Sequence, residues 1–155
     1  MTPILAIDPG ASGGLAWRDA DGVYWQEPMP DGMTAVVDFL RSLKAQMPDM
    51  FAIVENVGTW FPGDHPNAAT KFARHVGNIE AALYALGIPA GRPVTPRVWM
   101  RTIGVLPKDK ASRKRAIRDA MARMYPHLRV TLRTADALGI LTWVISKKDG
   151  IAHEA

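Results

Sequence analysis

Ile4-Leu5-Ala6-Ile7-Asp8-Pro9-Gly10-Ala11-Ser12-Gly13-Gly14-Leu15-Ala16-Trp17 is the stretch on which the reading of the fold turns. Ile4 to Ile7 is an apolar run of the length of a buried strand, and Asp8-Pro9-Gly10 ends it. Gly14 to Trp17 reads as a second strand, closed by the turn-forming Asp19-Ala20-Asp21-Gly22. Val23 to Gln26 reads as a third, rich in β-formers. Connections this short join neighbouring strands antiparallel, so the chain opens as a meander.

Beyond the meander the period changes. Val36, Leu40, Leu43 and Met47 recur at helical spacing, and Pro48 stops that helix. Phe51 to Glu55 is an apolar strand with a carboxylate at its C-terminal end, followed by a Gly-, Pro- and aromatic-rich loop from Asn56 to Asn67. Phe72, Val76, Ile79, Leu83 and Leu86 mark a second helix, capped by Gly87. Ile88 to Thr95 predicts a fifth, short strand interrupted by Pro93. A basic helix is expected from about Ser112 to Met124. A last one is expected from about Ala135 to Ile145, behind Thr134 as N-cap. The order β-β-β-α-β-α-β-α-α predicts an α/β fold with a five-stranded mixed sheet flanked by helices, the order of the ribonuclease H-like fold. A fold alone assigns no function.

A chain of 155 residues with 48% hydrophobic residues is sized for one domain, 1–155, with about 147–155 expected as a loose C-terminal tail. The absence of cysteine excludes disulfides, zinc–thiolate sites and thiol nucleophiles. No apolar run approaches the ~20 residues of a membrane span and no leader pattern is evident, so the expected compartment is the cytoplasm. The formal net charge is +4, and Lys and Arg crowd the segment from Arg92 to Arg133. A one-sided positive field suits a polyanion such as nucleic acid; a solvated basic face is the plain alternative.

Three acids stand where acids are costly. Asp8 interrupts an apolar strand, Glu55 closes another, and Asp136 follows the start of an apolar helix. Singly, each has an ordinary explanation as a turn residue, a strand terminator or a helix N-terminal acid. Jointly they suggest a site. If the first and fourth strands are neighbours, Asp8 and Glu55 point into one crevice, and the last helix can bring Asp136 there. A carboxylate cluster without His or Cys suits Mg²⁺ or Mn²⁺, which prefer hard oxygen ligands.

The stretch Ala6 to Ala16 resembles the opening of RuvC-type Holliday junction resolvases, as does Ile53-Val54-Glu55-Asn56-Val57. Val94-Thr95-Pro96-Arg97-Val98-Trp99 resembles the Pro-x-x-Trp segment of phage and bacterial RuvC-like proteins. Lys108 to Arg113 and Thr134 to Leu138 are similar to two further blocks, in the family's order. The resemblance implies catalytic, metal-holding roles for Asp8, Glu55 and Asp136. It also implies two Mg²⁺ per site, with Mn²⁺ able to substitute, and nicking of four-way or related branched DNA by a homodimer in a bacterial or phage-infected cytoplasm. One departure stands out. Relatives usually carry Asp or His three residues before the last acid, where this chain has Arg133.

DNA is expected to meet Lys108, Lys110, Arg113 and Lys114, with Lys110, Lys114 and Arg118 on one stripe if the helix starts early enough. Lys71 and Arg74 extend the basic surface from the second helix, on the side away from Phe72 and Val76, with His75 beside them. Trp60 and Phe61, in the loop after Glu55, are candidates to stack on bases at the junction. Trp99 reads as core, and the histidines show no ligand spacing. Two other functions stay open. One is a branched-DNA-binding module that keeps the fold without catalysis. The other is an actin-like nucleotide-binding phosphotransferase, because Asp8-x-Gly10 with Ser12-Gly13-Gly14 also resembles that phosphate-binding turn.

Overall fold

The computed structural model describes residues 1–58 and 65–153. The elements are β1 (Ile4–Asp8), β2 (Gly14–Arg18), β3 (Tyr24–Pro28), α1 (Met33–Gln46), β4 (Phe51–Val54), α2 (Pro66–Ala85), α3 (Pro96–Trp99), α4 (Lys110–Met124) and α5 (Ala135–His153), with a 3₁₀ turn at Met100–Thr102 after α3. The sheet runs β3-β2-β1-β4. β1 to β3 form the expected antiparallel meander, and β4 returns parallel to β1 with Ile7 opposite Val54.

Strand alternation divides the core. Leu5, Ile7, Ala52 and Val54 point to the face covered by Val36, Leu40 and Leu43 of α1 and Ile79 and Leu83 of α2. Ile4, Ala6 and Ile53 point to the other face, with Trp99, with Ile117 and Met121 of α4, and with Ala135, Ala137, Leu138 and Leu141 of α5. Continuing the same alternation by one step sends Asp8 and Glu55 to the α5 face.

Two expectations need correcting. The sheet has four strands among the described residues, not five: the segment after α2 touches β4 only through two isolated bridges, Ala52 with Ala90 and Glu55 with Val94. Proline is the cause. Gly91 N–H donates to the Ala52 carbonyl at 2.8 Å, but Pro93 has no N–H to offer two residues later. The chain bulges by one residue, and Val94 N–H donates to the Val54 carbonyl instead, at 3.2 Å. At the other end, α5 runs as helix from Ala135 to His153, past Ile145, where it was expected to end. No proline follows Ile145 to stop it, and Lys148 Nζ lies 4.0 Å from the centre of the Phe51 ring, a contact that ties this part of the helix to β4.

Candidate active site

The three acids meet. Asp8, Glu55 and Asp136 line one cleft of about 770 Å³, together with Pro9 to Gly13, Phe72 and His75, and Lys71, Lys110, Arg113 and Lys114. The backbone dictates this. Glu55 N–H donates to the Ile7 carbonyl at 2.9 Å, which continues the β1–β4 ladder and sets Glu55 beside Asp8. α5 then crosses β1 and β2 closely. Gly14 lies so near that a Cβ there would sit 2.5 Å from the Arg133 carbonyl oxygen. That close crossing places Asp136, in the first turn of α5, over the carboxylate pair.

The turn between β1 and β2 requires glycine. Gly13 N–H closes it on the Gly10 carbonyl at 3.0 Å. A Cβ at Gly13 would fall 2.0 Å from the Asp8 carbonyl oxygen, so any side chain displaces the strand end that carries the acid.

Burial and mutual repulsion make the cluster expensive to ionise. Desolvation, then the charges of Glu55 and Asp136, push Asp8 well above the usual carboxylate range. Glu55, 4% exposed, is pushed up to about 7, chiefly by burial, although the hydrogen bond from Trp99 opposes the rise. Burial also raises Asp136, against the pull of Lys114 and Arg113. Lys114 lowers all three. It is therefore a counter-ion of the cluster as well as a member of the basic stripe. That stripe exists because Asp109 caps α4 by accepting from Ser112 N–H at 2.8 Å, starting the helix at Lys110.

A divalent cation suits the chemistry of these donors: hard carboxylate oxygens, buried and short of positive charge. The acids are not arranged around an ion, however. Among the described residues no three His, Cys, Asp or Glu side chains stand at the spacing of one coordination sphere. Asp8 and Glu55 are instead close enough to share a hydrogen bond.

Other residues divide between the cleft and its surroundings. Arg74 lines a second groove of about 920 Å³, which shares Ala11, Ser12, Lys71 and His75 with the first. Arg133 also lies there, outside the acid cleft, and its guanidinium donates to the carbonyls of Ala11 at 2.9 Å and Met29 at 3.1 Å. It braces the β1–β2 turn. Lys108 is exposed and lines neither groove; its carbonyl accepts from Arg113 at 2.8 Å. Trp60 and Phe61 lie outside the described residues.

Two roles escaped the sequence. Trp99 is core, as expected, yet its Nε1–H donates to Glu55 Oε1 at 2.6 Å. His75 is not a free surface histidine: its Nδ1 accepts from Gly10 N–H at 3.0 Å, and burial lowers its pKa, favouring the neutral ring that such an acceptor needs. The Pro-x-x-Trp segment was a visible signal for the first. Nothing in the sequence announced the second. With Gly10 N–H and Gly13 N–H both engaged, the turn has two fewer amides to offer a nucleotide phosphate.

No protein-family model and no curated protein sequence matches the chain. Solved structures do. The chain is similar to Thermus thermophilus RuvC, with 16% identity, 89% of this chain and 90% of that chain covered, and a TM-score of 0.59. It is similar also to T. thermophilus RuvC in complex with Holliday junction substrate, with 15% identity, 90% of each chain covered, and a TM-score of 0.57. The mixed α/β fold is thus one shared with RuvC over most of both chains.

Proposed function

We propose that this protein is a metal-dependent, structure-selective DNA endonuclease with a ribonuclease H-like fold that nicks four-way junctions or related branched DNA. The observation that carries this reading is the convergence of Asp8, Glu55 and Asp136, from β1, β4 and α5, in one cleft lined also by Lys71, Lys110, Arg113 and Lys114. The fold shared with RuvC, one of whose structures holds a Holliday junction substrate, supports branched DNA as the substrate class.

In this reading Lys71, Lys110 and Arg113 bind phosphates and set the scissile strand along the cleft. Arg74 in the adjoining groove lengthens the track. Asp8, Glu55 and Asp136 hold Mg²⁺ or Mn²⁺, two ions per site. Bound ions of this kind lower the pKa of water and stabilise charge on a leaving oxygen. Lys114 offsets carboxylate repulsion before ions enter. Two sites related by a two-fold axis, in a homodimer, would cut the two strands symmetrically.

A second reading has an observation of its own. Lys114 neutralises part of the cluster and no three of its groups are spaced for an ion, which suits a junction-binding module without catalysis. One experiment separates them: incubation of a labelled synthetic four-way junction and matched duplex with Mg²⁺, Mn²⁺ or chelator. The nuclease yields paired, symmetric nicks that need the metal and vanish in Asp8→Asn. Tight junction binding without cleavage supports the module, and metal-dependent cleavage retained by Asp8→Asn ends the nuclease reading of this site.

A further inference from the structure

Glu55 is held in a way that ordinary packing does not require. Its Oε1 accepts the indole N–H of Trp99 at 2.6 Å, between two side chains that are 4% and 0% exposed. The indole N–H is a donor only, so it prefers an anionic acceptor and cannot exchange roles with it. Buried, and charge-assisted once Glu55 is ionised, this bond fixes the carboxyl's rotamer more firmly than a water could.

The ring is itself clamped. Trp99 closes α3, whose first residue, Pro96, is separated only by Thr95 from the bridge between Val94 and Glu55. On its other side the indole lies against Gly139, where a Cβ would sit 2.5 Å from Cζ3 and 2.9 Å from Cε3. Gly139 is three residues beyond Asp136 on α5, so the indole touches the segments that carry two of the three acids. Its neighbour Met100 lines the cleft.

We propose that Trp99 is a positioning residue of the acid cluster: its N–H holds one oxygen of Glu55 so that the other faces Asp8 and the cleft, with Gly139 as the socket that sets the ring. This role rests on the cleft being an ion-binding catalytic site, and the test keeps the two apart.

The decisive substitution replaces Trp99 with β-(3-benzothienyl)alanine, which keeps the ring's shape and puts sulfur where the N–H was. Three readouts are compared with wild type: Mn²⁺ affinity by calorimetry, single-turnover cleavage of a four-way junction, and the indole N–H resonance assigned to Trp99 by its loss in Trp99→Phe. The wild-type resonance is expected to be slow to exchange and to shift on Mg²⁺ addition. The isostere is expected to lose about tenfold or more in cleavage rate and several-fold in Mn²⁺ affinity, with junction affinity unchanged and thermal unfolding still cooperative. Wild type that binds Mn²⁺ and cuts, with the isostere within twofold in both, overturns the positioning role alone. A Trp99 resonance that exchanges freely and ignores the metal does the same. Wild type that neither binds Mn²⁺ nor cuts overturns the functional reading, and the positioning role with it.

Discussion

Replacing Glu55 by Gln is expected to stabilise the metal-free protein above neutral pH, and the magnitude follows from the burial of one carboxylate. Its pKa stands near 7 in the fold against an ordinary 4.5. Between those values the unfolded chain releases a proton that the native state keeps. Stability is therefore full below about pH 4.5 and is lost as pH rises through 7. At ~1.4 kcal/mol per pH unit the loss is on the order of 3 kcal/mol, or roughly 6–12 °C in Tm for a chain of this size. Asp8 and Asp136 are raised too and add in the same direction. Gln at position 55 keeps an oxygen for the Trp99 N–H but carries no charge, so it removes the Glu55 part of the slope. Urea unfolding in chelator at pH 5, 7 and 8 measures this, with saturating Mg²⁺ as the comparison. Wild type should weaken across the series and recover with Mg²⁺, while Glu55→Gln should weaken less, keeping only the slope due to Asp8 and Asp136, and recover less. Wild-type stability that is flat or rises with pH in chelator, or a Gln variant weaker than wild type at pH 8, refutes the reasoning.

Three further perturbations address the turn, the counter-ion and the brace. Gly13→Ala places a Cβ 2.0 Å from the Asp8 carbonyl oxygen, so it should cost ~2 kcal/mol or more in urea unfolding and weaken Mn²⁺ binding measured by calorimetry. Lys114→Gln withdraws the cation that lowers all three acids; the metal-free protein should lose stability at pH 8 while the salt dependence of junction binding, read by fluorescence anisotropy, drops by about one counter-ion. Arg133→Ala loses two hydrogen bonds to loop carbonyls outside the acid cleft. It should cost ~1–2 kcal/mol by thermal unfolding yet leave single-turnover cleavage at saturating Mg²⁺ within about tenfold of wild type.

The one-dimensional pattern settled whatever depends on neighbours in the chain. The apolar run Ile4 to Ile7, the breaks at Asp8-Pro9-Gly10 and Pro48, and the period of α1 made the meander and the first crossover legible. They also flagged Asp8, Glu55 and Asp136, because an acid beside a run of buried residues is conspicuous without any coordinates. Tertiary packing decided the rest, since it depends on distances between residues far apart in sequence. Pro93 lowered a fifth strand to two bridges only once β4 lay beside it, through an N–H that a partner needed and proline lacks. Arg133 left the acid cleft for the carbonyls of Ala11 and Met29, more than a hundred residues away. The hydrogen bond of Trp99 to Glu55 spans 44 positions and exists because Gly139 leaves room for a ring. Periodicity shows which side chains are buried; it carries no information on which buried polar atoms will face one another.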